Sequence, residues 1–167
     1  MTDPGRPSAS GSTAAAASPT DGSSGSRRTV LQGDRAKAYR PLPEPDRRHA
    51  FDEATAAYAR GDFFEAHELL EPAWMGTDDL AERALHQGLI KLAAGFVHGV
   101  RGNPLGIAKN LAGARDHLAL AVGTEAEAWS GLDLGRLVAE IDDRLSRLAA
   151  DPADGSIQPP ALPWRTR

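Results

Sequence analysis

From Asp46 to about Ala150 the apolar residues recur at helical spacing, and no stretch alternates in the two-residue rhythm of a strand. That periodicity restricts the chain to packed helices. Phe51, Ala54 and Tyr58 mark a first helix, capped by Asp46 and stopped by Gly61. A second is expected from Asp62 to about Trp74, with Pro72 setting a boundary within a turn of itself because it lacks an amide donor. The third, from Asp78 or Asp79 to Arg101, is the longest and most apolar; Gly102 ends it, and Asn103-Pro104 opens a fourth that runs to about Val122. A fifth begins near Asp133, carries Leu134, Leu137, Val138, Ile141, Leu145 and Leu148 on one face, and is ended by Pro152. Short connections favour antiparallel neighbours, so the expected fold class is all-α, a compact bundle of about five helices. Gly88, Gly95 and Gly99 lie close together on the third helix, where each would cost about 1 kcal/mol relative to alanine. Their presence predicts a close helix contact.

Outside this core the composition changes. Met1 to about Ser26 is almost entirely Ser, Ala, Gly, Thr and Pro, which cannot bury enough apolar area to offset the entropy of ordering. Pro41, Pro43 and Pro45 hold the following linker extended. The expected organisation is therefore a disordered tail and linker over 1–45, a helical bundle domain over 46–150 and a Pro-rich C-terminal tail over 151–167. Trp129 and the tail's Pro159-Pro160-Ala161-Leu162-Pro163-Trp164 either strap the bundle or contact another chain. Arg27-Arg28 is followed by Gln32, Gly33, Asp34 and Arg35 where an export signal needs an apolar stretch. No apolar run is long enough to span a bilayer, so the expectation is a cytoplasmic protein with no membrane partner. The 167 residues include no cysteine, which excludes disulfides, thiolate metal sites and a cysteine nucleophile. A formal net charge of −4 and the lack of a basic stripe argue against a nucleic-acid partner. Nothing in the pattern fixes an oligomeric state.

The second helix carries the chemistry that needs explaining. At about 100° per residue, Phe63, His67, Leu70, Glu71 and Trp74 share a face, with Phe64 and Glu68 beside them and Glu65 turned to solvent. His67 is expected to be shielded there, and ionisable groups among Phe, Leu and Trp need partners. The third helix offers two polar sets. Gln87, Lys91 and His98 share one stripe, whereas Glu82 and His86 lie on the side of Leu85, Leu89, Ala93 and Phe96. The first set would complete a polar cluster of His67, Glu68, Glu71, Gln87, Lys91 and His98, walled by Phe63, Phe64 and Trp74. The second would give a His/Glu arrangement suited to a divalent metal. Lys91 favours the first, because its ammonium neutralises a glutamate directly and no cofactor is then required. His49 and His117 stand among surface-like neighbours.

Phe63-Phe64-Glu65-Ala66-His67-Glu68-Leu69-Leu70-Glu71 with Trp74, then Gln87-Gly88-Leu89-Ile90-Lys91-Leu92-Ala93-Ala94 with His98, and Gly102-Asn103 with Gly106 and Ala114 form three ordered motif blocks. Over roughly Phe51 to Leu120 they resemble the family called domain of unknown function 309. The resemblance implies a small all-helical bundle and leaves its activity open. Lys91 stands where that family's block has glutamine, and His86 where it has an aliphatic residue; both departures weaken the carry-over of a metal site.

Two functions follow from these readings. The first is a non-enzymatic helical module that binds a small ligand or a protein partner around a buried His/Glu cluster, with no cofactor. The alternative is a divalent-metal-dependent hydrolase with His67, Glu71 and His98 as metal ligands and Glu68 as general base, although no His-Glu-x-x-His spacing supports it.

Overall fold

The computed structural model describes residues 40–166 except residue 101, together with the backbone of 29–32 and 35–38. Among the described residues six helices form the bundle: α1 (Glu44–Ala59), α2 (Phe63–Gly76), α3 (Leu80–Val100), α4 (Pro104–Ala121), α5 (Glu125–Ser130) and α6 (Leu134–Ala150). A short antiparallel hairpin precedes them, β1 (Thr29–Gln32) paired with β2 (Arg35–Ala38) in the register Thr29 to Ala38. This hairpin lies within the stretch expected to be a disordered tail and linker over 1–45. The disordered stretch expected from Met1 to about Ser26 lies outside the described residues.

Most helix ends follow from local chemistry. Gly61, at φ +82°, closes α1: its N–H donates to Tyr58 O at 2.9 Å and the next amide, of Asp62, donates to Ala57 O at 3.0 Å. This paired closure needs a left-handed residue, which glycine adopts without strain. Gly102 and Asn103 end α3 in the same way, onto Gly99 O and His98 O. Asp62, Asp79, Asn103 and Asp133 each accept an amide hydrogen from three residues on, capping α2, α3, α4 and α6. The start of α1 departs from expectation. It lies at Glu44 rather than after Asp46, with Pro43 at the cap and a proline in the first turn, where a missing N–H costs nothing. Pro72 does not stop α2, which continues one turn to Gly76.

α3 and α4 pack antiparallel at close range. A Cβ on Gly88 would come within 2.6 Å of Leu118 Cγ, and one on Gly95 or Gly99 would meet Asn110 or Ile107 at 3.4 Å. The predicted small-residue contact is this interface. Trp74, Leu85, Leu92, Leu111, Leu118, Leu137 and Ile141 fill the core, so Trp74 is a core residue. α5 was not expected; its six residues are too few to show a helical period. Glu127, within it, is buried and accepts amide hydrogens from Gly123 at 2.7 Å and Leu134 at 2.9 Å, tying the ends of α4 and α6 together. Beyond α6 the chain folds back. Ile157, Pro160 and Pro163 are buried, and Leu132 bridges Trp164. The C-terminal segment therefore straps the bundle.

Candidate functional site

The buried polar centre lies between α1 and α3. Glu82 and His86, one helical turn apart on the inner face of α3, are both buried, His86 completely. Arg47 of α1 meets the Glu82 carboxylate with both prongs of its guanidinium, Nε to Oε1 at 2.8 Å and Nη2 to Oε2 at 3.0 Å. Thr77, in the α2–α3 connection, donates its hydroxyl to Glu82 Oε2 at 2.9 Å. Burial alone would raise the Glu82 pKa, but the hydrogen bonds from Arg47 and Thr77, with the charge of Arg47, bring it below the usual carboxylate value. His86 goes the other way from a typical partnered histidine. Burial, reinforced by Arg47 and Arg48, holds its pKa down to about 4 against the pull of Glu82. It is a neutral imidazole whose two ring nitrogens have no hydrogen-bond partner among the described residues. Trp129 of α5 packs against it at 6.1 Å between ring centres, and Arg48 lies 3.7 Å above the Trp129 ring.

This is the α3 set that the charge on Lys91 argued against, and the expected cluster is not the buried centre. His67 retains 25% side-chain exposure and Glu68 52%; they touch each other, Nδ1 to Oε1 at 3.1 Å. Glu71 and Gln87 are partly buried. Lys91 lies over α4, where a Cβ on Gly113 would meet its Cδ at 2.7 Å. It sits close enough to His117 to add to burial in lowering that histidine's pKa. His98 packs over Gly106 of α4. What the structure does bring together is His67 and His98, in a surface groove of about 160 Å³ with Phe64, Ala94 and Val97. Phe64 is 60% exposed, so it forms an open edge rather than a closed wall.

Sequence spacing placed the α2 residues on the right face and misjudged what covers that face. α4 lies across Lys91 and His98, while His67 is partly buried and Glu68 exposed. Among the described residues no group of three or more His, Asp or Glu side chains converges as a metal site, so His67, Glu71 and His98 do not form the ligand set that the hydrolase reading requires. Glu127 was also missed, although Thr124-x-x-Glu127 has the spacing of a capping box.

Phe63 opens onto larger spaces. On one side a cleft of about 590 Å³ is lined by Phe63, Phe96, Ile107 and Ile157, with Asn103, Asp154 and Gln158 supplying polar groups. On the other a groove of about 700 Å³ runs between α1 and the C-terminal strap. The Tyr58 hydroxyl beside this groove is buried, which pushes its pKa well up, so it remains a hydrogen-bond donor. Among the described residues no helix is long and apolar enough to cross a membrane.

A helical bundle with an internal ion-pair centre and apolar clefts defines a class of all-α domain whose described side chains assemble no metal-ligand set. Residues 51–110 match the family described as Domain of unknown function (DUF309), the family that the three motif blocks resemble. The match runs from α1 into α4 and includes Glu82 and His86, while Arg47 and Trp129 lie outside it. No curated protein and no solved structure gave a match.

Proposed function

We propose that this chain is a non-enzymatic binding module that takes a small, largely apolar ligand in the cleft beside Phe63. The cleft's volume of about 590 Å³, with an aromatic and aliphatic lining and a few polar groups, supports this reading. Pockets for small ligands run from roughly 300 to 1,000 Å³ and use such sparse polar groups to orient what they hold. The Arg47–Glu82–His86 centre serves the scaffold: its carboxylate is already fully engaged by Arg47 and Thr77. The hydrolase alternative lacks a comparable observation.

Anilinonaphthalene sulfonate, an apolar anion whose fluorescence rises out of water, is a suitable probe. The expected result is saturable binding of about one molecule per chain, lost when Ala153→Trp fills the cleft from an exposed position. Unsaturable binding, or binding unchanged by Ala153→Trp, would sink the assignment.

A further inference from the structure

The strap is built like a bound peptide. Pro159, Pro160 and Pro163 each fix φ near about −65° and drive the preceding residue to extended geometry, so the segment is close to a polyproline conformation before it touches the bundle. A chain in that conformation has carbonyls free to accept hydrogen bonds from outside. The Tyr58 hydroxyl donates to Pro160 O at 3.0 Å, across 102 residues of sequence, and Arg144 Nε donates to Gln158 O at 2.7 Å. Farther along, the Asp133 amide donates to Pro163 O at 2.7 Å. Leu162 packs against the core and borders a small gap that it shares with Ala54, Tyr58, Leu70 and Leu89.

An aromatic floor, a hydroxyl aimed at a proline carbonyl and a pocket for one apolar side chain are the parts by which grooves recognise proline-rich ligands. The seat is also incompletely filled. Trp164 is 56% exposed, and about 700 Å³ stays open between the strap and α1. The joint between α6 and the strap is accessible too, with Pro152, Ala153, Gly155 and Ser156 all exposed.

We propose that the face formed by α1 and the α1–α2 turn is a docking site for a proline-rich extended segment of a partner protein, of the pattern Pro-Pro-x-Leu-Pro-aromatic, and that residues 157–164 occupy it as a resident ligand in cis. The strap supplies the chemistry of the occupant, since its sequence already fits the groove. The partner gains access when the strap lifts, so its apparent affinity is reduced by the fraction of chains with the groove open. This inference goes beyond the small-ligand reading and does not depend on it. A chain that binds no dye in the cleft still takes the peptide.

The test uses the full chain and a fluorescent synthetic peptide with the sequence of residues 155–165. Leu162→Ala combined with Trp164→Ala loosens the strap and leaves the α1 and α2 side chains intact. The expected result is saturable binding by anisotropy at least about tenfold tighter to this variant than to the unaltered chain. Adding Tyr58→Phe, or replacing the peptide's two recognised prolines, at the positions of 160 and 163, by glycine, weakens binding about tenfold. No binding to the loosened variant, or equal binding of the glycine peptide, overturns the proposal. Loss of helical circular dichroism in the loosened variant overturns it as well, because the strap is then part of the core.

A second measurement keeps the strap's own sequence nearly unchanged. Asp52→Cys and Ala161→Cys place two thiols in the same groove of a chain that otherwise has none. Bridging them with a short bismaleimide pins the strap and is expected to abolish the weak peptide binding seen before bridging. Binding that persists after bridging overturns the proposal. Bridged dimers forming in place of bridged monomers overturn the choice of occupant, since a second copy's strap then fills the groove.

Discussion

The outer surface of α2 and the inner surface between α1 and α3 contain the same residue types and use them in opposite ways. At the outer surface His67 and Glu68 touch in the presence of solvent, where an ion pair contributes about 0–1 kcal/mol. At the inner surface Glu82 is nearly excluded from water, and its two oxygens are taken by Arg47 and Thr77. Removing either charge there strands the other in a poor solvent. The family motif blocks emphasise the outer group, whereas the inner group joins α1 to α3 and to the α2–α3 connection. A histidine beside a glutamate in sequence therefore says less than the identity of the helix that later covers them.

The largest expected effect comes from breaking the inner pair. Glu82→Ala is expected to lower unfolding free energy by about 3–5 kcal/mol in urea denaturation, because it removes a buried carboxylate that takes two hydrogen bonds from Arg47 and one from Thr77. Glu68→Ala at the outer surface should change it by less than about 0.5 kcal/mol. Similar losses for the two would erase the distinction.

A somewhat smaller effect is expected from pH. In the folded chain His86 stays neutral down to about pH 4, whereas in the unfolded chain it takes up a proton near its ordinary value of 6.5. Between those limits the unfolded state binds a proton that the folded state refuses, so stability falls as pH drops from about 6.5 to about 4, by about 3 kcal/mol in all. His86→Leu should flatten the curve over that window and match or exceed the parent chain at pH 8, since it removes two ring nitrogens without hydrogen-bond partners. An unchanged slope would show that the imidazole is not neutral inside. Glu82, held below its ordinary pKa, contributes stability that is present above that ordinary value and is lost as pH falls further.

The smallest effects come from two glycines that separate a deep helix contact from a superficial one. Gly88→Ala pushes a methyl group against Leu118, at 2.6 Å from Cγ and 3.1 Å from its backbone nitrogen, and should cost about 1–3 kcal/mol. Gly113→Ala meets only the long side chain of Lys91, which can swing aside, so helix propensity should add up to about 1 kcal/mol. Thermal melts of both variants check the signs. A stabilising Gly88→Ala would mean that α3 and α4 are less tightly packed than the distances indicate.

Local signals carried most of the fold. Gly61, Gly102, Asn103-Pro104 and Asp133 act through neighbours within a turn, so each can be read without knowing the tertiary structure. The helix wheel on α3 set Gln87, Lys91 and His98 apart from Glu82 and His86, and in the structure the first three are partly buried and the last two buried. Choosing between the sets was another matter. Arg47 lies 35 residues from Glu82, in the run Asp46-Arg47-Arg48-His49, which reads as solvated, and no local rule pairs it with α3. The lysine looked decisive because an internal counter-charge was needed, and the counter-charge came from α1 instead. The strap was legible only as an alternative, since its prolines dictate an extended shape and not the surface that shape meets.

The distance in sequence between Tyr58 and Pro160 also has a temporal side. The two residues are 102 positions apart, and every helix of the bundle after α1 is made between them. At roughly 5–20 residues per second of synthesis, the groove on α1 waits about 5–20 s for the segment that covers it. Until residue 160 has been synthesised, the strap cannot cover Tyr58 and Phe63.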